Sequence, residues 1–294
     1  MIVGTAYARL WRNFTRTLRV RANRNRPIAI DTLWPGVLYW FVKSISTQWN
    51  TKDAMAVKIL VLKDVTEANS ILAGALRNTF ARDDVLVLDV IASPGAGKTT
   101  LLERTIEGLR AELSLGVIEG DPATSLDAER VAAAGVPAVQ INTGGGCHLE
   151  ARMIQAALEQ LAAPDDGASA RPLDVLIIEN VGNLLCPTGW DLGEDAKVVV
   201  ASLPEGDDKP LKYPMAFTSA QAVVINKIDL EPYIPSKAAR LRENALKINP
   251  DLAVFELSCL TGQGLDAWLN WIRARLIAKR RAASGKAADG SAHA

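Results

Sequence analysis

From residue 85 onward, short apolar runs alternate with stretches whose apolar residues recur every three or four positions. Runs rich in Val, Ile and Leu at 85–91, 116–119, 138–141, 173–178, 197–202, 222–225 and 253–257 read as strands. The stretches 99–113, 125–134, 148–161, 236–248 and 265–278 carry the helical period. The strand runs are apolar almost throughout instead of alternating with polar residues, so both of their faces are covered. This predicts an α/β fold: a doubly wound, mostly parallel sheet with helices on both faces. Ligands of such sheets bind beyond the carboxyl ends of the strands. Ahead of these elements, 57–62 (V-K-I-L-V-L) reads as a further strand. Residues 66–82 read as a helix with Thr66 as its N-cap and Ile71, Leu72, Ala75, Leu76 and Phe80 on one face.

Composition separates the two ends from this body. Residues 1–54 hold nine Arg or Lys against two Asp, a balance of +7, so the remainder of a chain with net charge zero carries −7. Four of the seven tryptophans lie in the same leader, at 11, 34, 40 and 49, and no period emerges there. Two readings stand: a basic, aromatic membrane-surface segment, or a disordered or non-native start ahead of Met55. Residues 165–171 form a polar connection, and 279–294 are poor in large apolar groups and read as a disordered tail, His293 included. The mildly acidic body argues against nucleic-acid binding. The run 35–42 is apolar but far short of a membrane span, so no stable membrane insertion is expected. Three cysteines, Cys147, Cys186 and Cys259, are too few and too scattered for a disulfide scaffold and fit a reducing cytoplasm.

The first strand of the body runs into Ala92-Ser93-Pro94-Gly95-Ala96-Gly97-Lys98-Thr99-Thr100 and then into a helical pattern. Strand, Gly-rich turn and helix in that order cradle phosphate: backbone N–H groups point at the anion, Lys98 reaches the outer phosphates and Thr99 can ligate Mg²⁺. The G-x-x-x-x-G-K-[ST] pattern is met except at its first glycine, where Ala92 stands. Asn226-Lys227-Ile228-Asp229 follows a later strand. A carboxylate at Asp229 accepts from the N1–H and N2–H₂ edge of guanine, which adenine cannot match, so GTP and GDP are the expected nucleotides. Ser258-Cys259 sits after another strand, where G proteins carry a Ser-Ala pair behind the guanine ring. Asp121 and Glu179 end two further strands and are candidate Mg²⁺ ligands; Gly182, in an E-x-x-G stretch, can turn its peptide toward a γ-phosphate. Lys98 and Asp121 are the catalytic candidates, the first for charge and the second for orienting water. Cys147 and His148 follow a triple glycine at 144–146, and Cys186 precedes Pro187. Thiolate and imidazole suit Ni²⁺ or Zn²⁺, and a helix starting at His148 would lower the Cys147 pKa. A buried cysteine beside a helix-capping histidine explains the same residues.

Together with these motifs, I-E-G-D-P-A-T-S-L-D-A-E-R, V-P-A-V-Q-I-N-T-G-G-G-C-H-L-E-A, I-E-N-V-G-N-L-L-C-P and E-G-D-D-K-P-L-K-Y-P resemble the HypB family of hydrogenase nickel-incorporation GTPases, over roughly 85–271. The resemblance implies a SIMIBI-class P-loop GTPase at 55–278 that forms a homodimer. Such a GTPase receives help from a HypA-type nickel-binding accessory protein and acts on the hydrogenase large-subunit precursor. It implies that Cys147, His148 and Cys186 form the family's metal site, which lies at the dimer interface. No cysteine precedes 147 and no histidine precedes 148, so the Cys-rich or His-rich N-terminal nickel motif of many members is missing. Three rivals remain at this stage. One is a urease- or cobalamin-type metallochaperone of the same class; another is a P-loop ATPase or kinase with structural zinc; the third is a passive metal-binding module with a degenerate loop.

Overall fold

The computed structural model describes residues 51–121, 135–161 and 172–290, with side chains described within 65–284. The leader up to residue 50, the expected helix at 125–134, the connection 165–171 and His293 lie outside the described residues. The chain divides into two compact units, Met1–Val61 and Leu62–Ala294. All that follows from residue 62 concerns the second.

Seven strands form one sheet, β1 (Leu86–Ala92), β2 (Leu115–Asp121), β3 (Ala138–Asn142), β4 (Val175–Glu179), β5 (Ala196–Ser202), β6 (Ala222–Asn226) and β7 (Ala253–Glu256). Their order is β3-β2-β4-β1-β5-β6-β7 and every pairing is parallel. The helices that bear on the site are α1 (Thr51–Arg82), α2 (Lys98–Leu109), α3 (Ala151–Leu161), α4 (Lys209–Lys212), α5 (Pro214–Ser219), α6 (Ala238–Ile248) and α7 (Leu265–Gly290). The expected doubly wound α/β sheet is the fold found, with all seven strands expected from residue 85 onward present.

The two faces of β1 show why a continuous apolar run is needed. Leu86, Leu88, Val90 and Ala92 join a core with Leu101, Leu102 and Ile106 of α2 and with Trp268, Ile272 and Leu276 of α7. Val87 turns the other way, toward Leu76 and Phe80 of α1 and Ile154 of α3, and Ile91 toward Phe217 of α5 and Leu241 of α6. The polar break at Asp89 lies on this second face, fully buried. It is ion-paired with Lys197 of β5 and accepts a hydrogen bond from Asn180 Nδ2 at 3.0 Å. A buried charge is tolerated only when paired in this way. Trp268 is satisfied by donating from Nε1 to Thr105 Oγ1 at 2.9 Å, so its ring fills the opposite core without stranding a polar group.

Four local expectations are corrected. Residues 57–62 are helical, because no turn residue separates them from 66–82 and α1 extends back through them. Thr66 is therefore inside α1, and its carbonyl accepts from Ser70 Oγ. The buried stripe of α1 is Asn69, Ala73, Leu76 and Phe80, whereas Ile71 is exposed. The tail does not begin at 279: α7 continues to Gly290, since Lys279 pairs with Asp195 and Arg280 with Asp174 across the strand N-termini. Among the described residues, no helix is long and apolar enough to cross a membrane.

Candidate functional site

β1 stands between β4 and β5, so the chain leaves its carboxyl end where connections pass to both sides. Ala92 closes the strand, pairs in register with Val200 and is wholly buried. The missing glycine is thus a core position, and its methyl group packs where a loop glycine would leave space. Gly97 has φ 96°, in the left-handed region, and a Cβ there would lie 2.5 Å from Asn226 Nδ2. Glycine is required on both counts. It caps α2 without a side chain, which leaves the first-turn N–H groups for an anion.

The Asn226–Asp229 loop, expected to read the base, is tied directly to this turn. Asn226 Nδ2 donates to the Ala96 carbonyl at 3.0 Å, and Lys227 Nζ to that of Gly95 at 2.7 Å. Asn226 Oδ1 accepts from the N–H of Lys227 and of Cys259, at 2.8 and 3.2 Å, which draws Ser258-Cys259 onto the same point. Ser258 Oγ accepts from the Thr261 N–H and thereby shapes that loop. Asp229 lies in the short helical turn Ile228–Tyr233 that follows. Burial pushes the Cys259 thiol up to about 11, so it stays protonated as a packing group.

A cleft of about 580 Å³ opens beside the turn, lined among others by Pro94, Gly95, Lys98, Thr99, Thr100, Glu119, Asp121, Glu179 and Gly182. Thr99 Oγ1 donates to Glu179 Oε1 at 2.9 Å. Glu119 is in register with Glu179 on neighbouring parallel strands, and both are almost fully buried. Sequence reasoning passed over Glu119. Its pairing with Glu179 depends on β2 and β4 being neighbours, which the order of the chain does not state. Thr99, Glu119, Asp121 and Glu179 make an all-oxygen donor set that fits Mg²⁺. Gly182 rests on Pro94, a Cβ there meeting Pro94 Cγ at 3.4 Å. A larger cavity, of about 820 Å³, lies at the strand N-termini, and its cations Arg275 and Lys279 are taken up by Asp195.

Cys147, His148 and Cys186 are brought together with ligand atoms all within 4.8 Å of one another. Cys147 Sγ lies 3.5 Å from His148 Nδ1, and the imidazole stacks on Trp190 with centroids 4.2 Å apart. Sulfur and imidazole at this spacing fit Ni²⁺ or Zn²⁺. Burial holds the His148 pKa below its ordinary value, which favours the neutral, ligating ring. The expected helix start at His148 is corrected: α3 begins at Ala151, so no helix terminus acts on Cys147. Its thiol is instead pushed up, chiefly by the hydrogen bond with Cys186 and then by burial. Trp190, unnoticed in the sequence, is the aromatic partner of this site.

Residues 86–256 match the CobW/HypB/UreG nucleotide-binding domain. The hydrogenase maturation factor HypB of Cupriavidus necator is 46% identical over 272 residues, covering 81% of this chain and 74% of that protein. Two solved structures are similar. HypB of Archaeoglobus fulgidus has 36% identity and a TM-score of 0.65, covering 71% of this chain and 99% of that one. HypB of Helicobacter pylori in complex with nickel has 38% identity and a TM-score of 0.66, covering 73% and 96%. With its phosphate turn, base loop and Cys-His-Cys cluster on one sheet edge, the chain belongs to the HypB hydrogenase maturation factors of the CobW/HypB/UreG family.

Proposed function

We propose that this protein is a GTP-hydrolysing metallochaperone that helps insert nickel into the [NiFe]-hydrogenase large subunit during maturation. The observation that carries the reading is one continuous segment. Glu179 accepts from Thr99 of the phosphate turn, and seven residues later Cys186 joins Cys147 and His148. Nucleotide chemistry at one end therefore has a covalent route to the metal ligands at the other.

The residues divide the work. The amides of 95–100 and the N-terminus of α2 hold the phosphates. Asp229 accepts from the guanine edge, while Asn226 and Lys227 keep the base loop on the phosphate turn. Thr99, Asp121 and Glu179 would hold Mg²⁺, with Glu119 beside them; when bound, it neutralises phosphate charge. Lys98 offsets the charge that builds on the β–γ bridging oxygen. Asp121 orients the attacking water, whose oxygen bonds to the γ-phosphorus as the bond to the bridging oxygen breaks. GDP leaves with that oxygen, and the product is inorganic phosphate. Nickel is cargo, held by Cys147, His148 and Cys186; zinc suits the same donors. The three ligands leave a tetrahedral site one short, consistent with a homodimer that shares metal across its interface. The partners in this reading are a HypA-type nickel-binding accessory protein and the large-subunit precursor, in the cytoplasm.

The test is hydrolysis with Mg²⁺ under competition. GTP is expected to be turned over slowly and ATP to compete poorly, with Lys98→Ala lowering turnover by at least about 100-fold. Equal use of ATP, or unchanged turnover in Lys98→Ala, would contradict the assignment.

A further inference from the structure

Asn180, between Glu179 and the Val181-Gly182 turn, is almost fully buried, and its side chain makes three hydrogen bonds. Its Nδ2 donates to Asp89 Oδ1 at 3.0 Å. Its Oδ1 accepts from the N–H of Val181 at 3.0 Å and of Leu149 at 3.2 Å. The first of these amides begins the arm that leads to Cys186. The second lies next to His148. One side-chain oxygen therefore pins the roots of both arms of the Cys-His-Cys cluster.

The pin is anchored on both sides. Leu149 is wholly buried and packs onto β2 at Gly120, where a Cβ would come within 2.8 Å of its side chain. Gly120 sits between Glu119 and Asp121, so the His148 arm rests on the strand end that carries the cleft carboxylates. Asp89, which holds Asn180, is ion-paired with Lys197, and Lys197 also contacts Glu194 at 3.1 Å. Lys197 Nζ further donates to the Trp190 carbonyl at 3.4 Å, and the Trp190 ring stacks on His148. The same buried polar cluster thus reaches the histidine by two paths, through its neighbour's amide and through its stacking partner. Breaking any member of such a network strands a buried polar group, so its members move together or not at all.

We infer that Asn180 is a positioning residue, the pivot through which the nucleotide cleft sets the geometry of both metal-binding arms at once. The inference rests on the switch reading above. A shift of the Glu179–Gly182 segment on γ-phosphate binding pulls Val181 on Asn180 Oδ1, and the shared acceptor passes the change to Leu149 and His148. Cys186 and the Cys147-His148 pair then move together, so the ligand set opens or closes as a unit.

The test compares nickel affinity at saturating GDP and at a saturating non-hydrolysable GTP analogue, in the wild-type protein and in Asn180→Ala. The wild-type ratio is expected to exceed about fivefold and the variant ratio to fall within about twofold of one. A variant ratio equal to a wild-type ratio above one overturns the pivot and leaves the switch standing. A wild-type ratio of one overturns the switch and the pivot with it. Hydrogen exchange on the wild-type protein checks the same link without a substitution. The Leu149 amide is expected to change protection between the two nucleotide states together with that of Val181; a change at Val181 alone overturns the pivot.

Discussion

The phosphate turn and the metal cluster lie on the same sheet edge, yet they are held in opposite ways. The turn is held at its backbone: Gly97 is left-handed, Ala92 anchors it in the core, and two side chains of the base loop donate to its carbonyls. The cluster is made of half-buried side chains on two loops, held from beneath by Asn180 and from the side by Trp190. A backbone cradle binds a fixed anion and resists change. Side chains on loops, steadied by a shared buried acceptor, can be rearranged by a small shift of one segment. The contrast suits a binding end that stays constant and a release end that must alter.

The largest expected effect breaks the cluster, where Cys186→Ala removes one of three donors. Nickel affinity should drop by more than about 100-fold, the upper end for changes outside a ligand shell. Without metal, guanine nucleotide affinity should stay within about threefold, since Cys186 does not line the nucleotide cleft. Losing both together would erase the distinction between the two regions. Next, on the rigid side, Gly97→Ala forces a Cβ into the Asn226 amide and an L side chain into a left-handed conformation, which costs about 1–2 kcal/mol from conformation alone. GTP affinity measured by equilibrium binding should fall by roughly 5- to 30-fold, the energetic equivalent of that cost. Trp190→Ala takes away the ring stacked on His148, and nickel titration should show a loss of about tenfold, typical of an outer-shell change.

The smallest effect falls at Glu205, which lines neither the cleft nor the cluster. Burial pushes the Glu205 carboxyl up, but Lys209 at 2.7 Å and the Ser202 N–H and hydroxyl more than offset it, leaving its pKa below the ordinary value. A lowered carboxylate pKa adds stability above the unfolded value, and that stability is lost as pH falls through the folded one. Glu205→Gln should cost about 1 kcal/mol at neutral pH by urea unfolding, with the difference from wild type shrinking in acid.

The backbone-held region was legible in the sequence and the side-chain-held region only partly so. Strands read as continuous apolar runs and loops as fixed spacings, so the sheet, the phosphate turn and the Asn226–Asp229 stretch could be placed before any coordinates. The cluster needed distances that no spacing contains: His148 and Cys186 are 38 positions apart, and their arms leave β3 and β4, which flank β2 in the sheet. Asn180 and Trp190 were hidden because each acts through a contact with a distant residue. Glu119 was missed for a nearer reason, since its partner in register, Glu179, lies on a strand whose place in the sheet the sequence does not state. The helical start at His148 was misplaced because a Gly-rich loop and a helical period abut there, and the loop keeps three further residues.

In the proposed mechanism, nucleotide state sets metal binding. Calorimetric titration of Ni²⁺ into the wild-type protein saturated with GDP, and again with a non-hydrolysable GTP analogue, tests this directly. The two affinities are expected to differ by roughly fivefold or more, a coupling of about 1 kcal/mol. Equal affinities in the two states would contradict it.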